Sequence, residues 1–183
     1  MKDTKKLTLG AMSIALGVLF MAVGAYVEAL DMTVAALNSL LMVFMFVEVG
    51  RPYTYFVWLG TSLLGFVFFA HSFVWVTYFL LFGIYPILKA YIEKLRRPFW
   101  IPIKLIAFNI SAVLMILASE FILGIPFFEE DVSIPILEEN TYIFKIALYV
   151  ALIITMLVYD YFLTVMARFY LNRIRPKISK LLK

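Results

Sequence analysis

The stretch LTLGAMSIALGVLFMAVGAYV, Leu7–Val27, contains no charged residue. Wound as an α-helix at 1.5 Å per residue it is about 30 Å long, which is the thickness of the hydrocarbon core of a bilayer. It exceeds the apolar core of a secretory signal, and Val27-Glu28-Ala29-Leu30-Asp31 lacks the small-residue pattern of a cleavage site, so the segment is expected to stay in the mature protein. The rest of the chain has the same character. Of 183 residues 64% are hydrophobic and only 15% charged, against roughly 45–50% and 25% in soluble domains. Further apolar runs follow at 32–47, 52–70, 72–88, 102–124 and 142–167, and 168–183 forms a basic tail. The fold class expected is therefore an all-α integral membrane protein, a single transmembrane domain of six helices. The second and fourth runs are short, so either of these could instead be tilted or re-entrant. No Cys is present, which removes disulfides and thiolate metal sites.

The basic residues set the expected orientation, because Lys and Arg near span ends are retained in the cytoplasm. Six crossings place Lys2, Lys5, Lys6, Arg51, Lys89, Lys94, Arg96, Arg97, Lys104 and the six basic residues of the tail on one side, and Lys145 alone on the other. Both termini are thus expected to be cytoplasmic. Glu28, Asp31, Glu129, Glu130, Asp131, Glu138 and Glu139 collect on the outer side. The basic tail suits anionic head groups of the bilayer, and no nucleic-acid partner is assigned. Glu48 and Arg51, three apart, read as a local ion pair.

Polar groups within spans are the candidates for function, since lipid makes them costly. Glu120 lies about one turn before the end of the fifth span, and Asn109, eleven residues earlier, falls on nearly the same helical face. In the sixth span Tyr142, Lys145, Tyr149 and Asp160 share one stripe. Lys145, a lone cation among outer acids, is placed to hold a substrate carboxylate, to pair with Glu120, or simply to reach the head groups. Asp160, deep in the span, is either a proton or cation site or an acceptor for a neighbouring helix. The fourth span carries an aromatic stripe at His71, Trp75, Tyr78, Phe82 and Tyr85, ending at Lys89, with Trp75 and Tyr78 best placed to stack a ligand ring if the stripe does not simply pack the bundle. Gly83 and Pro86 predict a bend in that helix. The outer connection 125–140, apolar residues set among acids, is a candidate lid.

In the first span Gly10, Gly17 and Gly24 recur every seven residues while Ala11 and Ala15 stand four apart. Two neighbouring stripes therefore admit another backbone, either within the bundle or from a partner. A basic N-terminus leading into Ala11-Met12-Ser13-Ile14-Ala15, in a basic six-span chain of this length, resembles the substrate-binding S components of energy-coupling factor importers of bacterial and archaeal cell membranes. The resemblance implies a small-molecule substrate such as a vitamin or its precursor. It also implies a transmembrane coupling subunit docked on Ala11 and Ala15, with Gly10 and Gly17 beside them, and two separate cytoplasmic ATPases. No Gly-x-x-x-x-Gly-Lys-Ser/Thr loop is present, in keeping with ATP binding elsewhere. Members that take nickel or cobalt carry a His after the initiator Met, whereas this chain has Lys2 and a single His, which disfavours a transition-metal substrate; no cofactor is expected. The rod-shape-determining membrane subunits of bacteria are similar in size and span number, and a non-transporting scaffold is the alternative. No hydrolytic or zinc motif is found, and an enzyme is not expected.

Overall fold

The computed structural model describes residues 3–124 and 141–177. Among these every regular element is helical, and six helices are long and apolar enough to cross a membrane. They are α1 (Asp3–Tyr26), α2 (Asp31–Glu48), α3 (Arg51–Phe69), α4 (Phe73–Ile92), α5 (Arg97–Ile122) and α6 (Thr141–Phe169), with α6 running on into a π-helical turn at Tyr170–Ile174. α2 has 18 residues and α4 has 20, so the two shorter runs become full spans. The candidate lid 125–140 lies outside the described residues.

The breaks between helices follow from local chemistry. Gly50 takes φ 98°, open to glycine at little cost, and Pro52 occupies the first turn of α3, where a missing N–H costs nothing. Ser72 caps α4 by accepting from the Val74 N–H, and the Trp75 indole donates to Ala70 O at 2.9 Å across the same turn. Gly124, left-handed at φ 65°, closes the π turn Ser119–Leu123 at the end of α5.

α4 is the central helix, more enclosed than any other span. Around it α1, α2 and α3 contribute Met21, Ala35, Met42, Met45 and Val57 to a core completed by Val74, Trp75, Val76, Tyr78 and Met115. Lipid gives helices no hydrophobic reason to associate, so close backbone approach must supply the contact. The glycine stripe of α1 does this: a β-carbon on Gly17 would lie 2.8 Å from Thr61 Cγ2, one on Gly24 2.8 Å from Val74 Cγ2, and one on Gly10 3.6 Å from Val57 Cγ2. Asn38 Nδ2 donates to Gly17 O at 2.9 Å, fixing α2 to the same crossing. Ala11 and Ala15 point away from this face and are exposed. The two small-residue stripes of α1 thus have different surroundings, one inside the bundle and one on its outside.

The irregularity expected at Gly83 and Pro86 is a wide π turn over Tyr78–Phe82, closed by Gly83 N donating to Tyr78 O at 2.7 Å. Trp58 of α3 presses against it, stacking on Phe79 at 5.1 Å and donating its indole N–H to Phe79 O. A β-carbon on Gly83 would sit 2.7 Å from Trp58 Cδ1 and 2.8 Å from Tyr78 O, so the bulge and the indole fit only around glycine. The helix restarts at Tyr85 with Pro86 in its first turn.

α6 is attached differently. Only Met156 and Leu163 of its described side chains are buried, and they meet Tyr85 in a second, smaller apolar cluster. Substituting Gly17→Leu should cost roughly 1–3 kcal/mol through overpacking. Ala11→Leu, on the exposed side, should stay within about 0.5 kcal/mol of the parent. Thermal unfolding of the purified variants in one mild detergent reads both, and equal losses would contradict the packing described.

Candidate functional site

The site grows from Asp160, the one acid in the middle part of α6. Its carboxylate accepts from Tyr85 Oη at 2.8 Å, from Lys104 Nζ at 2.9 Å and from Lys89 Nζ. Tyr85 and Lys89 of α4 and Glu93, which caps its C-terminal end, stand four apart and so form one ladder, which brings Glu93 within 3.2 Å of Lys89 and 3.0 Å of Lys104. Two cations and two carboxylates from three helices therefore balance, with Lys89 and Lys104 only 7% and 6% exposed. Lys89 also donates to Asp160 O at 2.7 Å and Thr164 Oγ1 at 2.8 Å, so all three of its N–H bonds have acceptors. A charge here is stable only because the others are present.

Beside this cluster lies a cavity of about 160 Å³ between α4, α5 and α6, reaching Met32 of α2 at one end and Tyr85 at the other. Its wall is almost wholly carbon, from Leu81, Phe82, Phe108, Met115, Leu152 and Met156 among others. Tyr85 belongs to both features: its ring lines the cavity and its hydroxyl is held by Asp160.

No protein-family model, no curated protein and no solved structure matches the chain.

The residues singled out from sequence are dispersed over the bundle. Trp75 is buried at the α3–α4 turn, edge-on to Phe66 at 5.1 Å, and Tyr78 is fully enclosed in the core. Asn109 and Tyr149 do meet: Tyr149 Oη donates to Asn109 Oδ1 at 2.9 Å, joining α5 to α6, while Asn109 Nδ2 donates back to Leu105 O. Glu120 is exposed on the π turn that ends α5. Tyr142 and Lys145 lie in the first turns of α6, with side chains outside the described residues. None of Trp75, Tyr78, Asn109, Glu120 and Tyr149 lines the cavity. The expected Glu48–Arg51 pair is not formed: Glu48 accepts from Arg175 Nε at 3.2 Å and Tyr170 Oη at 3.1 Å, and Arg51 lies over the Tyr91 ring at 4.8 Å. A long-range partner displaced the local one because Glu48 is nearly buried under the end of α6 and Arg51 points away along the surface.

From the sequence alone Lys89 and Lys104 read as loop charges; the structure places both in the buried cluster. A signal existed in Lys104, which interrupts the apolar run Ile101–Ile106, and in Asp160, which requires a cation from another helix. Replacing Asp160→Asn leaves two buried ammonium groups facing Glu93 alone and should cost about 3–5 kcal/mol. Adding Lys104→Gln to Asp160→Asn should restore much of that loss. A double-mutant cycle in thermal unfolding tests the coupling, and strict additivity would refute it.

Proposed function

We propose that this protein is the substrate-capture subunit of an importer of the energy-coupling factor type, in a bacterial or archaeal cell membrane, for a small molecule such as a vitamin or its precursor. The observation that carries the reading is the cavity between α4, α5 and α6, a space of small-molecule size beside a fully neutralised polar cluster. Such a space between helices is where membrane bundles hold ligands. No step of bond making or breaking is assigned to the chain, and transport energy comes from a transmembrane coupling subunit and two cytoplasmic ATPases.

The division of α1 into two faces supports the same reading. Its glycines are consumed by α2, α3 and α4, whereas Ala11 and Ala15 remain on the outside with room for another helix to approach. The proposed orientation has both termini in the cytoplasm. Setting aside Lys89 and Lys104, whose charges Asp160 and Glu93 balance, the basic residues still divide thirteen against one.

Affinity purification of the tagged protein from its native membrane, followed by mass spectrometry of proteins and extracted metabolites, tests the proposal. A coupling subunit with two ATPases is the expected outcome, and Ala11→Leu with Ala15→Leu should abolish their recovery while leaving the unfolding midpoint of the isolated protein unchanged. Recovery of cell-wall or cytoskeletal proteins instead would replace the transporter by a scaffold.

A further inference from the structure

We infer that the cavity takes a hydrocarbon chain, and that its occupant is a single-chain lipophile entering sideways from the bilayer through the gap between α5 and α6. The inference rests on the capture reading above and narrows its substrate class.

The wall excludes polar ligands. Four lining residues bear hydroxyls: Thr77 donates to Phe73 O, Thr155 to Ala151 O and Tyr85 to Asp160, each bond drawing the oxygen back into its own helix or into the ion cluster, while the Tyr159 hydroxyl, with no hydrogen-bond partner among the described residues, is itself wholly buried behind its ring. Almost nothing polar is presented to the interior. A water-soluble vitamin would surrender its hydration there and gain no hydrogen bond in exchange.

One opening lies at hydrocarbon depth. Thr155 is the middle residue of α6, and Phe108 is one residue from the middle of the regular stretch Trp100–Ala118 of α5. Leu152 and Thr155 wall the cavity yet are themselves exposed, Leu152 by 43%, so the cavity communicates with the outside of the bundle at that level, as it does at its other end where Met32, in the first turn of α2, is exposed by 54%. What reaches it at hydrocarbon depth must first dissolve in lipid.

The shape selects a chain. Along α4 the wall extends from Thr77 to Tyr85, about 12 Å of helix rise, so the long axis follows the helices and the acyl chains around them. The volume of about 160 Å³ resembles that of an engineered apolar cavity of about 150 Å³ that holds benzene. One short segment of a chain therefore fits inside while the rest trails between α5 and α6. The Tyr85–Asp160 bond, with both lysines behind it, forms the floor that such a chain cannot pass.

The test uses a long-chain alcohol carrying a mid-chain diazirine, photolysed with the full-length protein in phosphatidylcholine nanodiscs and mapped by peptide mass spectrometry. Adducts should concentrate on Leu81, Phe108, Met115, Leu152 and Met156, and excess unlabelled alcohol should compete them away. Ala112→Phe, which fills the cavity, should reduce them at least about ten-fold while labelling of outward-facing Val113 and Leu117 persists. Ala112→Leu provides a milder filling should the larger ring impair folding, and it should give a smaller loss in the same direction. Labelling spread over all exposed apolar positions and insensitive to either variant would overturn the inference, as would the absence of competition, which marks a space filled by bulk phospholipid chains. The importer reading is tested apart from this: saturable labelling without coupling partners would sink that reading alone, and a polar metabolite recovered with coupling partners, together with diffuse labelling, would sink this inference alone.

Discussion

A carboxylate in the hydrocarbon region has to find cations or give up its charge, and Asp160 finds two. Because Lys89 comes from α4 and Lys104 from α5, satisfying Asp160 fixes the height and rotation of three helices at once. A slip of one residue along α6 would turn the carboxylate through about 100° and strand all three charges. The cluster thus acts as a register mark, and the geometry of that half of the bundle depends on it. Glu93 completes it from the same ladder that carries Tyr85 and Lys89, so α4 and its C-terminal cap supply a hydroxyl, a cation and an anion at successive turns.

The two halves of the molecule solve the problem of association in lipid by different means. α1 to α4 rely on contact: glycines on α1 allow Thr61 and Val74 to approach closely, and Met21, Met42 and Met45 fill the remaining irregular spaces with flexible side chains. α6 relies on tethers. Tyr149 binds Asn109 of α5, Asp160 binds the lysines, and Tyr170 with Arg175 binds Glu48 of α2. Few of its side chains between these points are buried.

Much of this was legible in the sequence where a single helix decided the matter, and less where two had to be compared. Leu7–Val27 and its successors announced six spans because length and apolarity are properties of one segment. Gly83 and Pro86 announced an irregular α4, although not that Trp58 would shape it into a π turn. The aromatic stripe of α4 had the period expected, but α4 is central, so Trp75 and Tyr78 face other helices in the core. Asp160 stood out by its depth; its partners lie 71 and 56 residues away, and periodicity within one helix carries no information about which lysine another helix will bring to it. Lys89 and Lys104 were hidden by the same rule that gave the orientation, since a basic residue at a span end reads as a loop charge until an acid is found beside it. Glu48 repeats the lesson on a smaller scale, its neighbour Arg51 being outcompeted by a cation from the far end of the chain.

The tethers also explain why an open space survives between α5 and α6. In water an apolar gap collapses because its walls expel solvent, but in a bilayer the surroundings are as apolar as the walls and collapse gains little. What decides is whether side chains are pulled together. Here the Tyr149–Asn109 bond holds the two helices on one side of the gap and the Asp160–Lys104 pair holds them on the other, with Leu152 and Met156 between these points along α6. Each tether is directional, so each keeps the helices at a set spacing as well as joining them. The charged cluster and the apolar cavity are consequently one construction: the ions fix the frame, and the frame leaves room that only hydrocarbon fills without loss.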